Sequence, residues 1–251
     1  MGIQYSFKRY EKKYMLTGRQ YENILPVFKE KMAEERYGLH TVCNIYYDTP
    51  DFRLIRASVK KPVYKEKFRI RSYGVPSEED MVYGEIKKKY KGVVYKRRVA
   101  AVRQDLKAFL EQGVPLAGEH QIQREIQWFF QCYDLSPKVY IAYEREAYLG
   151  IEEEDLRITL DRSIRWRQDE LFLQAGSQGE LILPEDRILM EIKVAHAVPL
   201  WLAEVLSSEG VFPQSFSKYG TIYTERIMKR HGKGLPEGYS AVPQERNVLV
   251  C

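Results

Sequence analysis

VYGEIKKKYKGVVYKRRV, residues 82–99, carries seven Lys and Arg side chains among eighteen residues. Its other residues are largely the β-branched and aromatic types that strands select. The Lys91-Gly92 pair separates two such runs and predicts a hairpin. Period two then sets Glu85, Lys87 and Lys89 on one face of the first strand, with Ile86 and Lys88 on the other. One face is almost wholly ionic.

The same alternation recurs along the chain. Glu11 with Lys13, Arg69 with Arg71, Arg157 with Asp161, and Glu191 with Lys193 each share a face of a predicted strand. Phe68 and Ile70, Ile158 and Leu160, and Met190 and Ile192 take the opposite faces, which suit burial beneath helices. A single such strand reads as an ordinary solvated sheet face, the commoner meaning of the pattern. Five sets in one chain favour a shared purpose. Phosphate oxygens accept charge-assisted, often bidentate bonds from guanidinium groups, so a sheet closed with these faces inward becomes a cationic channel. Of the carboxylates Glu11, Glu85, Asp161 and Glu191, ion pairing to orient the cations is the favoured role for Glu85. Holding a divalent metal is favoured for Glu191, since hard cations prefer oxygen ligands.

The chain of 251 residues, 44% hydrophobic and 30% charged, has the length and composition to bury a sizeable core. Its formal net charge of +5 implies only a mild preference for anions. Strands are expected over 6–16, in TVCNIYYDTPDF, EKFRIRSYG and the hairpin, and again in KVYIAYEREAYLG, LRITLDRSIRWR, ELFLQ and RILMEIKVA. Helices are expected in TGRQYENILPVFKEKMAEERYG, opened by Thr17 and ending at Gly38, from Asp105, in EHQIQREIQWFFQCYDLSP, in PLWLAEVLSSEG and in SKYGTIYTERIMKRHG. This order predicts one α+β domain over 1–230, with 231–251 as a loose tail. Cys43, Cys132 and Cys251 form no C-x-x-C pair, and no secretory signal core or membrane-length apolar run is present, so a reducing, cytoplasmic setting is expected. The chain has no Walker A loop, no G-x-G-x-x-G and no G-x-S-x-G elbow, so phosphate chemistry here has to work from side chains. Its four histidines are scattered and suggest no metal trio.

In these residues the sequence resembles the triphosphate tunnel superfamily (CYTH-like), and within it the VTC domain of polyphosphate polymerases. The resemblance runs from about Phe7 to Met228. It is carried by RYEKKYML (9–16), NIYYDTPDF (44–52), KFRIRSYG (67–74), GEIKKKYKGVVYKRR (84–98), YEREAY (143–148), LRITLD (156–161), LMEIK (189–193) and SFSKYG (215–220). It implies an eight-stranded antiparallel β-barrel tunnel with flanking helices. Lys13, Arg69, Arg71, Lys87, Lys89, Lys96, Arg145 and Lys218 would be phosphate ligands, with Arg98, Arg157 and Lys193 as lesser contributors and Glu11 and Glu85 beside them. Glu191 would hold a divalent metal, Mn2+ ahead of Mg2+. The implied activity is metal-dependent transfer of the ATP γ-phosphate to a growing polyphosphate chain. ATP and inorganic polyphosphate are then the ligands, and a membrane protein is an open further partner. The superfamily pattern begins with two alternating Glu before the Lys, whereas Arg9, Glu11 and Lys13 stand in that register here, which suits the polymerase branch. The alternatives are a triphosphatase and a non-catalytic polyphosphate-binding module. Nucleic acid is not expected, because the ionic strand faces lack interleaved aromatics that stack bases.

Overall fold

A computed structural model of the chain describes residues 10–231 apart from 92 and 119. Arg9 and most of the expected tail lie outside the described residues.

The first strand, β1 (Tyr10–Thr17), ends where Thr17 caps α1 (Gly18–Lys31). The Thr17 hydroxyl accepts from the Gln20 amide at 3.2 Å, and Gln20 Oε1 accepts from the Thr17 amide at 3.0 Å, a reciprocal cap legible in the sequence. Then follow β2 (Met32–Glu34), β3 (His40–Asp48), a short α2 (Arg53–Val59), β4 (Tyr64–Tyr73), β5 (Met81–Tyr90) and β6 (Val93–Val102). Tyr90 faces Val93 across the expected two-residue connection, and Lys91 takes the positive φ of 46° that such a turn demands. After α3 (Arg103–Gln112) and α4 (His120–Cys132) come β7 (Ser136–Gly150), β8 (Arg157–Arg167), β9 (Glu180–Leu181), β10 (Arg187–Val194) and α5 (Leu200–Ser208). The described chain closes with α6 (Lys218–Ile222), which runs through a π-helical stretch, Tyr223–Ile227, into α7 (Met228–His231).

The main sheet path is β1-β10-β8-β7-β3-β4-β5-β6, with β2 added to β7 and β9 to β8. All its pairings are antiparallel. The eight-stranded path matches the expected tunnel, but the sheet is curled rather than closed: among the described residues β1 and β6 share no ladder. The free edge of β1 is taken instead by the segment before α6. Gln214 donates its amide to the Lys13 carbonyl at 2.7 Å, and Tyr14 bridges Pro213.

Two apolar clusters cover the outer face. Phe68, Ile70 and Ile86 pack against Leu106 and Phe109 of α3 and Ile126 and Phe129 of α4. Ile158, Leu160, Met190 and Ile192 pack against Ile24 and Phe28 of α1 and Leu202 and Leu206 of α5. A third cluster fills one end of the inner face, where Tyr219, Ile222, Tyr223 and Ile227 meet Val42, Tyr46, Ile141, Trp166 and Leu189. A bulge in β8 makes this possible. Ala142 pairs Arg165 and Glu144 pairs Arg162, so β8 carries one extra residue, and Ser163 there adopts a φ of 48°. The inner side of β8 therefore changes from Thr159 and Asp161 to Ile164 and Trp166.

Three expectations are corrected. The helix expected to reach Gly38 ends at Lys31, because Met32–Glu34 pairs with β7 as β2. ELFLQ is not a strand. It belongs to a loop with a single 3-10 turn, Leu173–Ala175, wrapped around Arg167, whose guanidinium donates to the carbonyls of Glu170, Phe172, Gly176 and Gln178. And TVCNIYYDTPDF is strand only as far as Asp48, with α2 beginning at Arg53. Asp48 starts this helix from within β3, accepting from the amides of Thr49, Leu54 and Ile55 at 2.9–3.0 Å.

Candidate functional site

The inner face away from the apolar plug gathers most of the residues singled out above. Glu85 on β5 lies opposite Arg69 on β4 and Arg98 on β6. It is 2% exposed and surrounded by cations. Arg69 donates to Oε2 from Nε at 2.8 Å and sets Nη2 2.7 Å away, and Lys96 Nζ lies 2.9 Å from Oε1. Arg71 and Arg98 stand at 3.9 Å. Burial alone would raise the pKa of Glu85, but Arg69, Arg71 and Lys96 bring it to about 2.

A second carboxylate centre joins β1, β7, β8, β10 and α6. Asp161 is fully buried and accepts two bonds from Arg145, at 2.6 and 2.7 Å, and one from Lys218 at 2.5 Å. Beside it, Glu191 stands 3.2 Å from Lys13 and 3.8 Å from Lys193. Burial opposes ionisation of both acids, yet Lys218 with Arg145 holds Asp161 below the usual carboxylate range, and Lys218, Lys13 and Lys193 hold Glu191 well below it. Lys13 also donates to the Phe216 carbonyl at 3.0 Å, and Glu11 sits 3.7 Å from Lys13 at the exposed end of β1.

Between these centres the inner face carries lysines without a carboxylate. Lys65 faces Lys89 and Lys67 faces Lys87 across the β4–β5 ladder, and none of the four forms an ion pair among the described residues. Burial, together with Lys65, Lys87 and Lys13, lowers the pKa of Lys67 to about 8. By contrast Lys88 points outward to Glu125 of α4 at 2.7 Å, so the period-two division of β5 holds. Arg157 reaches the inner face at its far end, where Glu35 engages it at 2.7 Å.

Several further residues stand on the inner face beside those that the sequence pattern marks. Lys65 and Lys67 continue the alternation of Arg69 and Arg71 in the other direction. Uncharged partners were missed because they carry no charge to follow: Tyr46 accepts from Arg69 at 2.9 Å, and Asn44 and Tyr143 accept from Arg71 at 3.0 and 3.3 Å. Tyr46 is buried, which opposes its ionisation, but Arg69, Arg71 and Lys67 lower its pKa to about 8.

So many buried ion pairs are a poor route to stability, because desolvation offsets most of the Coulombic gain. A cluster of unpaired lysines adds further repulsion. Both features are accounted for by an anion rich in oxygens, and phosphate meets the guanidinium forks best. As to a metal, Asp161 is consumed by three donors, whereas Glu191 keeps open oxygen valence. Among the described residues no three His, Cys, Asp or Glu converge. The donor set thus fits a cation held by one carboxylate and completed by phosphate oxygens, a usual arrangement for magnesium and its like. It does not fit a preassembled all-protein cage.

The family model described as the VTC domain matches residues 8–225. The chain belongs to the VTC domain family. This VTC domain shares its fold with a candidate adenylate cyclase from Bacillus halodurans, at 14% identity and a TM-score of 0.50, over 88% of this chain and 95% of the other. It is also similar to a candidate adenylyl cyclase from Hippeastrum with a dominant triphosphatase activity, at 18% identity and a TM-score of 0.51, over 90% and 97% of the two chains. No curated protein matches the sequence. Among the described residues no helix of the VTC domain is long and apolar enough to cross a membrane.

Proposed function

We propose that this VTC domain is a polyphosphate polymerase that transfers the γ-phosphate of ATP to the end of a polyphosphate chain along the cationic inner face. The observation that carries the reading is the row of inner cations on β4. Lys65, Lys67, Arg69 and Arg71 run along about 20 Å of strand, many times the spacing of adjacent phosphoryl groups; Lys87 and Lys89 of β5 face Lys67 and Lys65, and Lys96 of β6 faces Lys87. A site for one triphosphate needs less length; a chain uses all of it.

In this mechanism Arg69, Arg71 and Arg145, held in place by Glu85, Asn44, Tyr143 and Asp161, turn their remaining N–H groups to phosphate oxygens, while Lys13, Lys218 and Lys193 neutralise charge near Glu191. Lys65, Lys67, Lys87 and Lys89 hold the acceptor chain in line. No general base is required, since the attacking phosphate oxygen is already an anion, and the chain's contribution is orientation and charge neutralisation. A divalent cation at Glu191 would add neutralisation of the phosphoryl oxygens when bound. Hydrolysis by water is the second reading, favoured by the Hippeastrum relative with its dominant triphosphatase activity.

The test is incubation of the purified chain with ATP and either Mn2+ or Mg2+, with products resolved by length on a gel. A ladder of polyphosphate together with ADP is expected. Orthophosphate and ADP without a ladder would establish the triphosphatase instead, and ATP binding without turnover under either metal would leave only a binding module.

A further inference from the structure

Beyond Arg71 and Glu85 the inner face ends in aromatic residues. Tyr73 follows Arg71 on the same side of β4, Tyr83 precedes Glu85 on the same side of β5, and His40 begins the inner side of β3, with Tyr37 just before it. Their rings form a chain: Tyr37 to His40 at 6.3 Å and 70°, His40 to Tyr73 at 6.0 Å and 59°, and Tyr73 to Tyr83 at 5.6 Å and 71°. In inclined contacts of this kind the edge of one ring meets the face of its neighbour. Two of the rings already hold flat cations, with Arg98 4.4 Å above Tyr83 and Arg36 4.6 Å above Tyr37. No cation lies over the ring of Tyr73 among the described residues, and Tyr73 is 49% exposed.

We propose that this rim, centred on Tyr73, is the subsite for the base of a nucleoside triphosphate whose phosphates lie against Arg71, Arg69 and Arg98. The proposal rests on the phosphate reading of the inner face given above. Tyr73 stands two residues past Arg71, about 7 Å further along the strand, the order in which a nucleotide presents phosphate, sugar and base. Burial opposes ionisation of Tyr73, yet Arg71 lowers its pKa, so the hydroxyl is drawn toward the phosphate cations while the ring stays at the mouth. Arg98 joins the two halves: its guanidinium stacks on Tyr83 and its Nη1 stands 3.9 Å from Glu85. Stacking needs only a π-face, so the rim should accept any base, purines more tightly than pyrimidines. It adds nothing for inorganic triphosphate.

Equilibrium titration of the full chain with ATP, CTP and inorganic triphosphate tests this, on the wild type and on Tyr73→Leu and Tyr73→Phe. The wild type is expected to bind ATP several-fold more tightly than CTP. Tyr73→Leu should lose about tenfold in ATP affinity, the size of one base stacked on an aromatic ring, and keep inorganic triphosphate within twofold. Tyr73→Phe, which retains the ring, should behave as wild type toward ATP. If Tyr73→Leu weakens both anions equally, or neither, the base subsite is wrong while the phosphate site stands. If the wild type binds neither ATP nor inorganic triphosphate, the phosphate reading fails and the subsite falls with it.

Discussion

Glu85 is the counter-charge of the inner-face cations around it, within 2.9 Å of Lys96 and 2.7 Å of Arg69. Replacing it by Gln leaves those cations without a counter-charge, and breaking a buried pair from one side costs about 3 kcal/mol or more. Glu85→Gln should therefore lower the urea midpoint, and inorganic triphosphate should restore more stability to the variant than to the wild type. With a folded pKa of about 2 against an ordinary value near 4.5, the stabilisation from Glu85 is complete above the higher value and fades as pH falls from there toward 2. Lys67 and Lys193 have linkage of the same sign in a more alkaline window, although there it is the charged form that destabilises the fold. Burial lowers both to about 8, aided at Lys67 by neighbouring lysines and opposed at Lys193 by Glu191 and Glu11. Between about 8 and the ordinary lysine value the unfolded chain binds more protons, so these two groups make the anion-free protein more stable as pH rises through that window. Affinity for triphosphate should move the other way, weakening from pH 7 to pH 9 as the ammonium groups lose their protons. Lys67→Arg, which stays charged, should flatten that profile in titrations across the range; an equally steep profile in the variant would remove Lys67 from the phosphate track.

Elements divide into those whose face could be read from residue type and those whose placement depends on a distant partner. Period two was sufficient for β1, β4, β5 and β10, because their outer sides pack under helices and a slip by one residue would bury charge. The same rule, carried two residues further in each direction, reaches Lys67, Tyr73 and Tyr83. It could not reveal the β8 bulge, since Ser163 is neither Gly nor Asn and nothing local marks its positive φ. Nor could it reveal that Arg167 folds ELFLQ into a loop, because the donors and acceptors there are backbone groups brought together by tertiary structure. The covering of the free β1 edge was also beyond local pattern, depending on Pro213 and Gln214 reaching Tyr14 and Lys13. Asp48 shows how one such long-range anchor serves the site. Its carboxylate starts α2 and accepts from the Tyr219 hydroxyl at 3.0 Å, one residue after Lys218. Asp48→Ala removes a cap worth about 1–2 kcal/mol and orphans a buried hydroxyl at about 1–3 kcal/mol. Denaturant unfolding should show a loss of about 2–5 kcal/mol. Triphosphate affinity should fall as well, although Asp48 faces the apolar plug, because α6 carries Lys218 to Asp161.

The whole molecule is a curled sheet with apolar clusters outside, an apolar plug at one inner end, and unbalanced positive charge over the rest of the inner face. Net charge alone, at +5, would not foretell this, since it does not show that inner-face cations such as Lys13, Lys67, Arg69, Arg71, Lys87 and Arg145 outnumber the carboxylates Glu11, Glu85, Asp161 and Glu191 beside them. Such an interior repels itself when empty and is stabilised by a polyanion that binds only the folded state. Binding should weaken steeply with added salt, as for any contact made chiefly by ammonium and guanidinium groups. The division between the two faces of β5 tests the account most directly. Inorganic triphosphate should be titrated, at low and at physiological ionic strength, into wild type, Lys87→Ala, Lys89→Ala and Lys88→Ala. Each inner lysine removed should weaken binding by about 1.5–3 kcal/mol, roughly ten- to a hundredfold. Lys88→Ala, which loses only its outward pair with Glu125, should bind as wild type does. Equal affinities in all three variants would contradict the assignment of the inner face as the phosphate site.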